Sequence, residues 1–261
     1  RKTWMLSASC ISSLAAGKGG VGKTSLSATI VKTLVQTYPD KKILAIDADP
    51  AVGLSTALGI DVKYTIDDIR KDIIENVENG NNREAIEILN EAKFRIFDAM
   101  VETDGYSFIA VGRPESAGCY CKINAYLKDI ISILSEEFDF VVIDGEAGIE
   151  QINRRVMEKV SHLILITDMS KKGRDVCATI KAVADNLVMY EKIGVIVNRV
   201  TDKSLLKLMD FGGVDVLAAI GDDKNLTKFD LTGENVFNLP ENSEIVEGVK
   251  TALSAIGVLN K

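Results

Sequence analysis

The chain has 261 residues, with 31 Lys and Arg against 38 Asp and Glu, so its formal net charge is −7. Its 46% hydrophobic and 26% charged residues form a globular composition, which excludes a disordered or fibrous chain. The acidic balance argues against a nucleic-acid partner, and the absence of an apolar run of ~18 residues argues against a membrane span. Four cysteines are too sparse for a disulfide scaffold, and they predict a reducing, cytoplasmic location.

Short apolar segments predict the strands of a mostly parallel sheet, because several are apolar without alternation. They lie at 11–16, 42–46, 107–111, 140–143, 163–167, 193–197 and 214–220. Helical patterns separate them near 23–37, 120–136, 150–159, 173–189, 203–210 and 243–256. This alternation predicts one α/β domain over residues 1–261, a doubly wound sheet built from βαβ units.

Two segments depart from this alternation. Residues 61–103 are charged and helically spaced, so we expect a helical insertion between the second and third strands. It is either a solvated hairpin or a surface that docks a partner. Residues 1–9 precede the first strand and do not begin with Met. We expect them to lie outside the fold, either as a disordered tail or as residues added for expression.

A phosphate-binding loop follows the first predicted strand. Gly17-Lys18-Gly19-Gly20-Val21-Gly22-Lys23-Thr24 matches G-x-x-x-x-G-K-[ST] and runs into a helix. Glycines let backbone N–H groups converge on phosphate oxygens, and the helix N-terminus favours negative charge there. We expect Lys23 to reach the β- and γ-phosphates, Thr24 to bind Mg²⁺ and Ser25 to belong to the nucleotide site. ATP or ADP with Mg²⁺ is therefore the expected ligand.

The second lysine of this loop, Lys18, makes it resemble the deviant Walker A motif of the nitrogenase iron protein and Min-type ATPases. The resemblance implies an ATP-hydrolysing homodimer in which Lys18 reaches the partner's nucleotide, as an arginine finger does. It also implies that Asp49, after the second strand, positions the attacking water. Lys18, Lys23 and Asp49 are thus the candidate catalytic residues; the alternative for Lys18 is a solvated side chain.

Two further carboxylates end predicted strands. Val141-Val142-Ile143-Asp144 has the Walker B pattern, so we expect Asp144 to bind Mg²⁺, through water. Asp47 is a second candidate for the Mg²⁺ shell, and its alternative role is to cap the following helix. The segment 145–148 resembles the second switch of the same superfamily.

The resemblance also implies two places that contact adenine. Asn198, followed by Arg199, ends another strand, and its amide can both donate to and accept from a base edge. Leu239-Pro240-Glu241, before the last helix, resembles the second adenine-contacting loop. The alternative for both is turn and capping chemistry.

A pair of cysteines follows the third strand. Gly112-Arg113-Pro114-Glu115, and then Gly118-Cys119-Tyr120-Cys121, resemble the accessory ATPases that mature nickel carbon monoxide dehydrogenase and acetyl-CoA synthase. A twofold axis through this segment would bring four thiolates together, a set that suits Zn²⁺ and also Ni²⁺. The prediction is a metal site of Cys119 and Cys121 at a homodimer interface, with a nickel enzyme as the client. The alternative is a pair of free thiols at the start of a helix.

Two other functions remain open from the sequence. An iron–sulfur reductase of the nitrogenase iron protein type would need a cysteine at position 151, which is Gln151 here. Two Cys-x-Cys motifs could still supply four ligands to a cluster. A Min- or Par-type positioning ATPase would need a basic membrane-binding helix or a basic DNA surface, and neither suits this acidic chain.

Overall fold

The computed structural model describes residues 9–13, 20–49, 53–78, 94–112, 137–145, 159–187 and 189–259. The helices are α1 Lys23–Thr37, α2 Gly53–Leu58, α3 Ile66–Glu78, α4 at 94–99, α5 Lys171–Leu187, α6 Lys224–Thr232 and α7 Glu244–Ala255. The strands are β1 Ser9–Ser13, β2 Ile43–Ala48, β3 Val101–Glu102, β4 Ser107–Ala110, β5 Phe140–Gly145, β6 Lys159–Thr167, β7 Met189–Val197 and β8 Val216–Ala219. Short 3₁₀ helices span Lys203–Leu208 and Val236–Asn238.

The strands form one sheet in the order β3-β4-β2-β5-β1-β6-β7-β8. Every pairing is parallel except that of β3 with β4. The parallel strands therefore end at one edge of the sheet, and β1, which leads into the phosphate loop, lies in its middle. In such sheets ligands bind at that carboxyl edge.

The sheet is buried on both faces, which confirms the predicted doubly wound α/β class. Consecutive residues of one strand pack into two different apolar clusters, as Leu44 and Ala45 do on β2. One cluster lies under α1, α2 and α7, and the other under α3, α4 and α5. Burial on both faces explains why these strands have no polar alternation.

The described boundaries correct several predicted ones. β1 begins at Ser9 and pairs with Phe140, so Ser9 belongs to the sheet rather than to a tail. β6 and β7 each begin four residues earlier than predicted, because polar residues such as His162 interrupt the apolar signal inside the sheet. Lys159 is a strand residue, although it was predicted to end a helix. The predicted helix 120–136 and residues 150–158 lie outside the described residues.

The insertion contains the predicted helical segments α3 and α4, and it also contains β3, which the sequence did not predict. Asp72 of α3 and Arg95 of α4 form an ion pair that joins the two helices. Ile66, Ile69, Ile96 and Ala99 are buried in the core. The described part of the insertion therefore packs on the sheet and is not merely a solvated hairpin. Within the described ranges, no helix combines the length and apolarity needed to cross a bilayer.

Candidate nucleotide site

The described end of the phosphate loop lies where α1 begins. Gly20 and Gly22 have φ of 94° and 85°, a backbone region that favours glycine. Val21 is buried, and Lys23 starts α1, which has Gly22 as its N-cap. Gly17, Lys18 and Gly19 lie outside the described residues.

Asn198, at the end of β7, holds this loop from the side. Its Nδ2 donates to the carbonyl of Val21 across 2.8 Å, and its Oδ1 accepts from the Arg199 backbone N–H at 3.0 Å. A Cβ on Gly22 would lie 2.6 Å from the same Nδ2, so only glycine fits there. Asn198 is 5% exposed, and its amide retains one further hydrogen and one further lone pair.

Asp144, the residue before the last in β5, lies directly beside Asp47 on β2, since the two residues are register partners. Asp144 is buried, and its Oδ1 accepts from the Ser27 hydroxyl at 2.8 Å. Its Oδ2 is buried and has no hydrogen-bond partner among the described residues. Burial raises the pKa of Asp144 to about 6, although Ser27, the nearby Thr24 hydroxyl and Lys23 lower it. An orphaned carboxylate oxygen close to Thr24 suits the Mg²⁺ site predicted from the sequence.

Asp47 has a different set of contacts. Its Oδ2 accepts from the backbone N–H groups of Leu54 and Ser55, at 2.9 and 3.4 Å, and its Oδ1 accepts from Asp49 N–H at 3.2 Å. The bonds from Leu54 and Ser55 hold the first turn of α2, so these contacts match the helix-capping alternative. Burial, and then the charge of Asp144, raise the pKa of Asp47 to about 7. Among the predicted Mg²⁺ residues, Thr24 and Asp144 therefore have the more suitable surroundings.

Asp49 and Lys23 lie at the same edge, because the Asp49 N–H contacts Asp47 beside Asp144 and Lys23 begins α1 directly after the phosphate loop. The negative charge of Asp49 raises the pKa of Asp144, and the positive charge of Lys23 lowers it. Ser25 and Arg199 lie on its rim beside Asp230 of α6. The Ser25 hydroxyl donates to Asp230 Oδ1 at 3.5 Å, and Arg199 opposes the rise that burial causes in the pKa of Asp230. Arg199 is the non-glycine residue with positive φ, 55°, among the described residues. Such strain is found most often at functional sites.

The structure does not bring Leu239, Pro240 and Glu241 to this edge. The Leu239 carbonyl accepts from the Lys32 ammonium, and Glu241 Oε1 accepts from Gln36 Nε2 at 2.9 Å. Gln36 is near the end of α1, about 20 Å along the helix axis from Lys23 at 1.5 Å per residue. This correction has a simple cause, since α7 runs beside α1 and the preceding turn meets the far half of α1.

A different loop lies beside Asn198. The Ile220 N–H donates to the Val197 carbonyl at 2.8 Å, and the Val200 N–H donates to the Ile220 carbonyl at 2.8 Å. Gly221 and Asp222 therefore follow β8 at the edge where Asn198 contacts Val21, in the described end of the phosphate loop. Sequence analysis missed these two residues, together with Ser27 and Asp230. The sequence did offer one signal for Gly221 and Asp222, since they follow an apolar strand. It offered none for Ser27 and Asp230, whose positions are set by tertiary contacts.

The predicted metal ligands Cys119 and Cys121 lie outside the described residues, as does 146–148 of the predicted second switch. Within the described ranges, no cluster of three or more His, Cys, Asp and Glu side chains could hold a metal ion. Cys177 lies on α5 and is buried in the hydrophobic core, and this burial raises the pKa of its thiol to about 11. His162 on β6 is buried too.

The fold and this edge define a nucleotide-binding protein of the P-loop class. The family described as the CobQ/CobB/MinD/ParA nucleotide binding domain matches residues 13–236, and the chain belongs to that family. An uncharacterized ATP-binding protein of Methanocaldococcus jannaschii is 36% identical over 90% of this chain and 93% of its own. The carbon monoxide dehydrogenase accessory protein CooC of Rhodospirillum rubrum is 27% identical over 83% of this chain and 88% of its own. The cell division protein MinD of Aquifex aeolicus has a similar structure, with a TM-score of 0.68 and 20% sequence identity. That similarity covers 97% of this chain and 99% of the MinD chain.

Proposed function

We propose that this chain is an ATP-hydrolysing, nucleotide-dependent dimeric maturation factor that delivers nickel to carbon monoxide dehydrogenase or acetyl-CoA synthase, or gates its insertion. ATP closes the dimer, Lys18 reaches the partner's nucleotide, and Asp49 orients the attacking water. Cys119 and Cys121 of the two subunits bind Ni²⁺ or Zn²⁺ as four thiolates. Linkage then requires that nucleotide and metal change each other's affinity.

The Cys-x-Cys segment is the observation that carries this proposal. The chain enters that segment at Gly112, where the Val111 N–H donates to the Asp47 carbonyl at 2.8 Å. The segment thus begins at the nucleotide edge, one residue beyond a contact with Asp47. The similarity to CooC, a carbon monoxide dehydrogenase accessory protein, supports the same client class.

Within the nucleotide site, we assign phosphate binding to the loop from Gly17 to Lys23 and to Ser25. Thr24 and the free oxygen of Asp144 are the residues that would hold Mg²⁺, which neutralises phosphate charge when it is bound. Asn198 and Arg199 are assigned to the base, because they lie beside the loop at the end of β7.

The test is metal binding by anaerobically purified protein with and without a non-hydrolysable ATP analogue. Ni²⁺ and Zn²⁺ are titrated into the wild type, into Cys119→Ser/Cys121→Ser and into the matched control Cys10→Ser/Cys177→Ser. We expect one metal ion per dimer, bound more tightly or more weakly with the analogue, and its loss only in the first variant. Equal metal stoichiometry in both double variants would remove the nickel assignment.

A Min- or Par-type positioning ATPase is the second candidate, favoured by the family and by the similarity of fold to MinD. It predicts nucleotide-dependent co-sedimentation with anionic lipid vesicles or with duplex DNA, and no metal at Cys119. An iron–sulfur reductase predicts a broad visible absorbance band of the purified protein, due to a bound cluster held by cysteine thiolates.

A further inference from the structure

Ser27 holds one oxygen of the carboxylate that we assign to Mg²⁺. It lies one helical turn beyond Lys23 in α1, and it is fully buried. Its Oγ donates to Asp144 Oδ1 across 2.8 Å, whereas Asp144 Oδ2 is buried and has no hydrogen-bond partner among the described residues. One oxygen of the carboxylate is therefore fixed by the protein and the other is available.

Ser27 differs in this respect from two other buried hydroxyls of α1. Thr29 Oγ1 donates to the Ser25 carbonyl at 2.7 Å, and Thr33 Oγ1 donates to the Thr29 carbonyl at 2.8 Å. Both bonds return to the helix itself, a common fate of helical hydroxyls. The Ser27 hydroxyl instead crosses to β5 and joins the phosphate helix to Asp144.

We propose that Ser27 is a positioning residue of the metal site, which orients the Asp144 carboxylate so that its free oxygen serves the Mg²⁺ shell shared with Thr24. Mg²⁺ demands near-ideal octahedral geometry, so a carboxylate that rotates freely binds it less well. Groups that orient ligands from behind change metal affinity by roughly 10- to 100-fold when they are removed. The proposal rests on the nucleotide and Mg²⁺ part of the proposed function and is independent of nickel.

The experiment measures Mn²⁺ binding to the protein–ADP complex by electron paramagnetic resonance, with Mn²⁺ as the probe for Mg²⁺. We expect Ser27→Ala to weaken Mn²⁺ binding by about 10- to 100-fold. Metal-free ADP affinity should stay close to the wild type, whereas thermal stability should fall modestly, because the buried Asp144 carboxylate loses a hydrogen-bond donor. Thr33→Val is the matched control, because it removes a buried hydroxyl of the same helix that has no contact with Asp144, and it should leave Mn²⁺ affinity unchanged. Ser27→Thr, which keeps the hydroxyl, should recover most of the affinity.

Several outcomes would overturn the proposal. Equal Mn²⁺ affinity in Ser27→Ala and wild type would show that Ser27 does not position the ligand. An equal loss in Thr33→Val, or a parallel loss of metal-free ADP binding, would show that Ser27 acts only through packing. If the wild type binds ADP but no Mn²⁺ in its presence, the metal assignment itself is wrong and the Ser27 proposal falls with it. A failure of nickel binding at the cysteines would leave all these results unaffected.

Discussion

His162 shows how the sheet changes the chemistry of a single side chain. It lies on β6, is 7% exposed, and its Nδ1 is 2.8 Å from the Ser161 hydroxyl. Its Nε2 is buried without a hydrogen-bond partner among the described residues. Burial, and then the positive charge of Lys192, lower the pKa of His162, although Glu191 and the Ile256 carbonyl oppose the shift. The folded protein therefore favours neutral imidazole.

This shift predicts a stability that depends on pH. The unfolded chain takes up a proton near the ordinary value of 6.5, whereas the folded chain does so only at lower pH. The contribution of His162 to the free energy of unfolding should therefore be fully present above pH 6.5 and should be lost as the pH falls below it. Urea unfolding at about pH 7.5 and about pH 5 isolates this contribution, because the wild type and His162→Gln share every other titrating group, Asp47 and Asp144 among them. On acidification the wild type should lose stability relative to His162→Gln, and identical changes in both proteins would contradict the prediction.

At the scale of elements, α1 and α7 are joined by a buried ammonium. Lys32 is 1% exposed in α1, forms an ion pair with Glu241 Oε1 at 3.2 Å, and donates to the Leu239 carbonyl. Glu241 also accepts from Lys250 Nζ of α7 at 2.7 Å and from Gln36. Hydrogen bonds from Lys250, Gln36 and Lys32 lower the pKa of Glu241 to about 2, against the effect of burial. This carboxylate thus connects both helices to the turn before α7.

Removing the charge of Glu241 should destabilise the fold more than removing the buried ammonium of Lys32. Glu241→Gln leaves the Lys32 ammonium buried with neutral oxygen acceptors but without a counter-ion, and we expect a loss of about 1–2 kcal/mol. This value lies below the usual cost of breaking a buried pair, because Glu241 is 54% exposed. Lys32→Met should cost less, since it removes the charge and keeps the volume. Chemical denaturation of both variants tests this order, and a larger loss in Lys32→Met would contradict it.

At the scale of the whole molecule, the proposed dimer predicts that two inactive variants restore each other. Lys18→Ala should lower kcat by about 10³-fold or more, as loss of an arginine finger does, and Asp49→Asn should also be inactive. In a mixed dimer, one site combines an intact Asp49 with the partner subunit's intact Lys18. Equal mixing should therefore restore about one quarter of wild-type turnover, because half of the dimers are mixed and each has one working site.

The measurement is ATP turnover against mixing ratio, with each variant alone and with a mixture of Lys18→Ala and wild type as controls. Near-wild-type turnover of both single variants would contradict the assigned catalytic roles. Absence of recovery in the mixture would place Lys18 and Asp49 at the same subunit's site, or would show that subunits do not exchange.

Much of the fold was predictable because the sheet is buried on both faces. The continuous apolar run from Phe140 to Ile143 predicts a strand from its composition alone, and it forms part of β5. The helix α1 begins and ends at the residues that its helical pattern predicted. Elements fixed by tertiary contacts were missed: α2 has only six residues and depends on the Asp47 cap, and β3 has two. The helix α6 carried local signals that were overlooked, since Asp223 caps its start and Gly233, with φ of 69°, ends it.

The site divides in the same way. The phosphate loop and Asp144 follow from local motifs, because glycine geometry and an apolar strand ending in Asp are visible in sequence. The partners Ser27 and Asp144 are 117 residues apart, and no spacing rule connects them. Leu239–Glu241 was predicted to contact adenine because its Pro-containing turn matched a motif. The segment that lies at the nucleotide edge, which starts at Gly221, has no proline and did not match that motif.

The bond from Asn198 to Val21 has a kinetic consequence. Together with the positive φ of Gly22, it holds this end of the loop through contacts within the protein itself. A loop that is already shaped loses little conformational entropy when a phosphate arrives, so this part of the site is preorganised. Substitutions at Asn198 should therefore slow nucleotide association as well as weaken affinity, because each encounter would first have to order the loop.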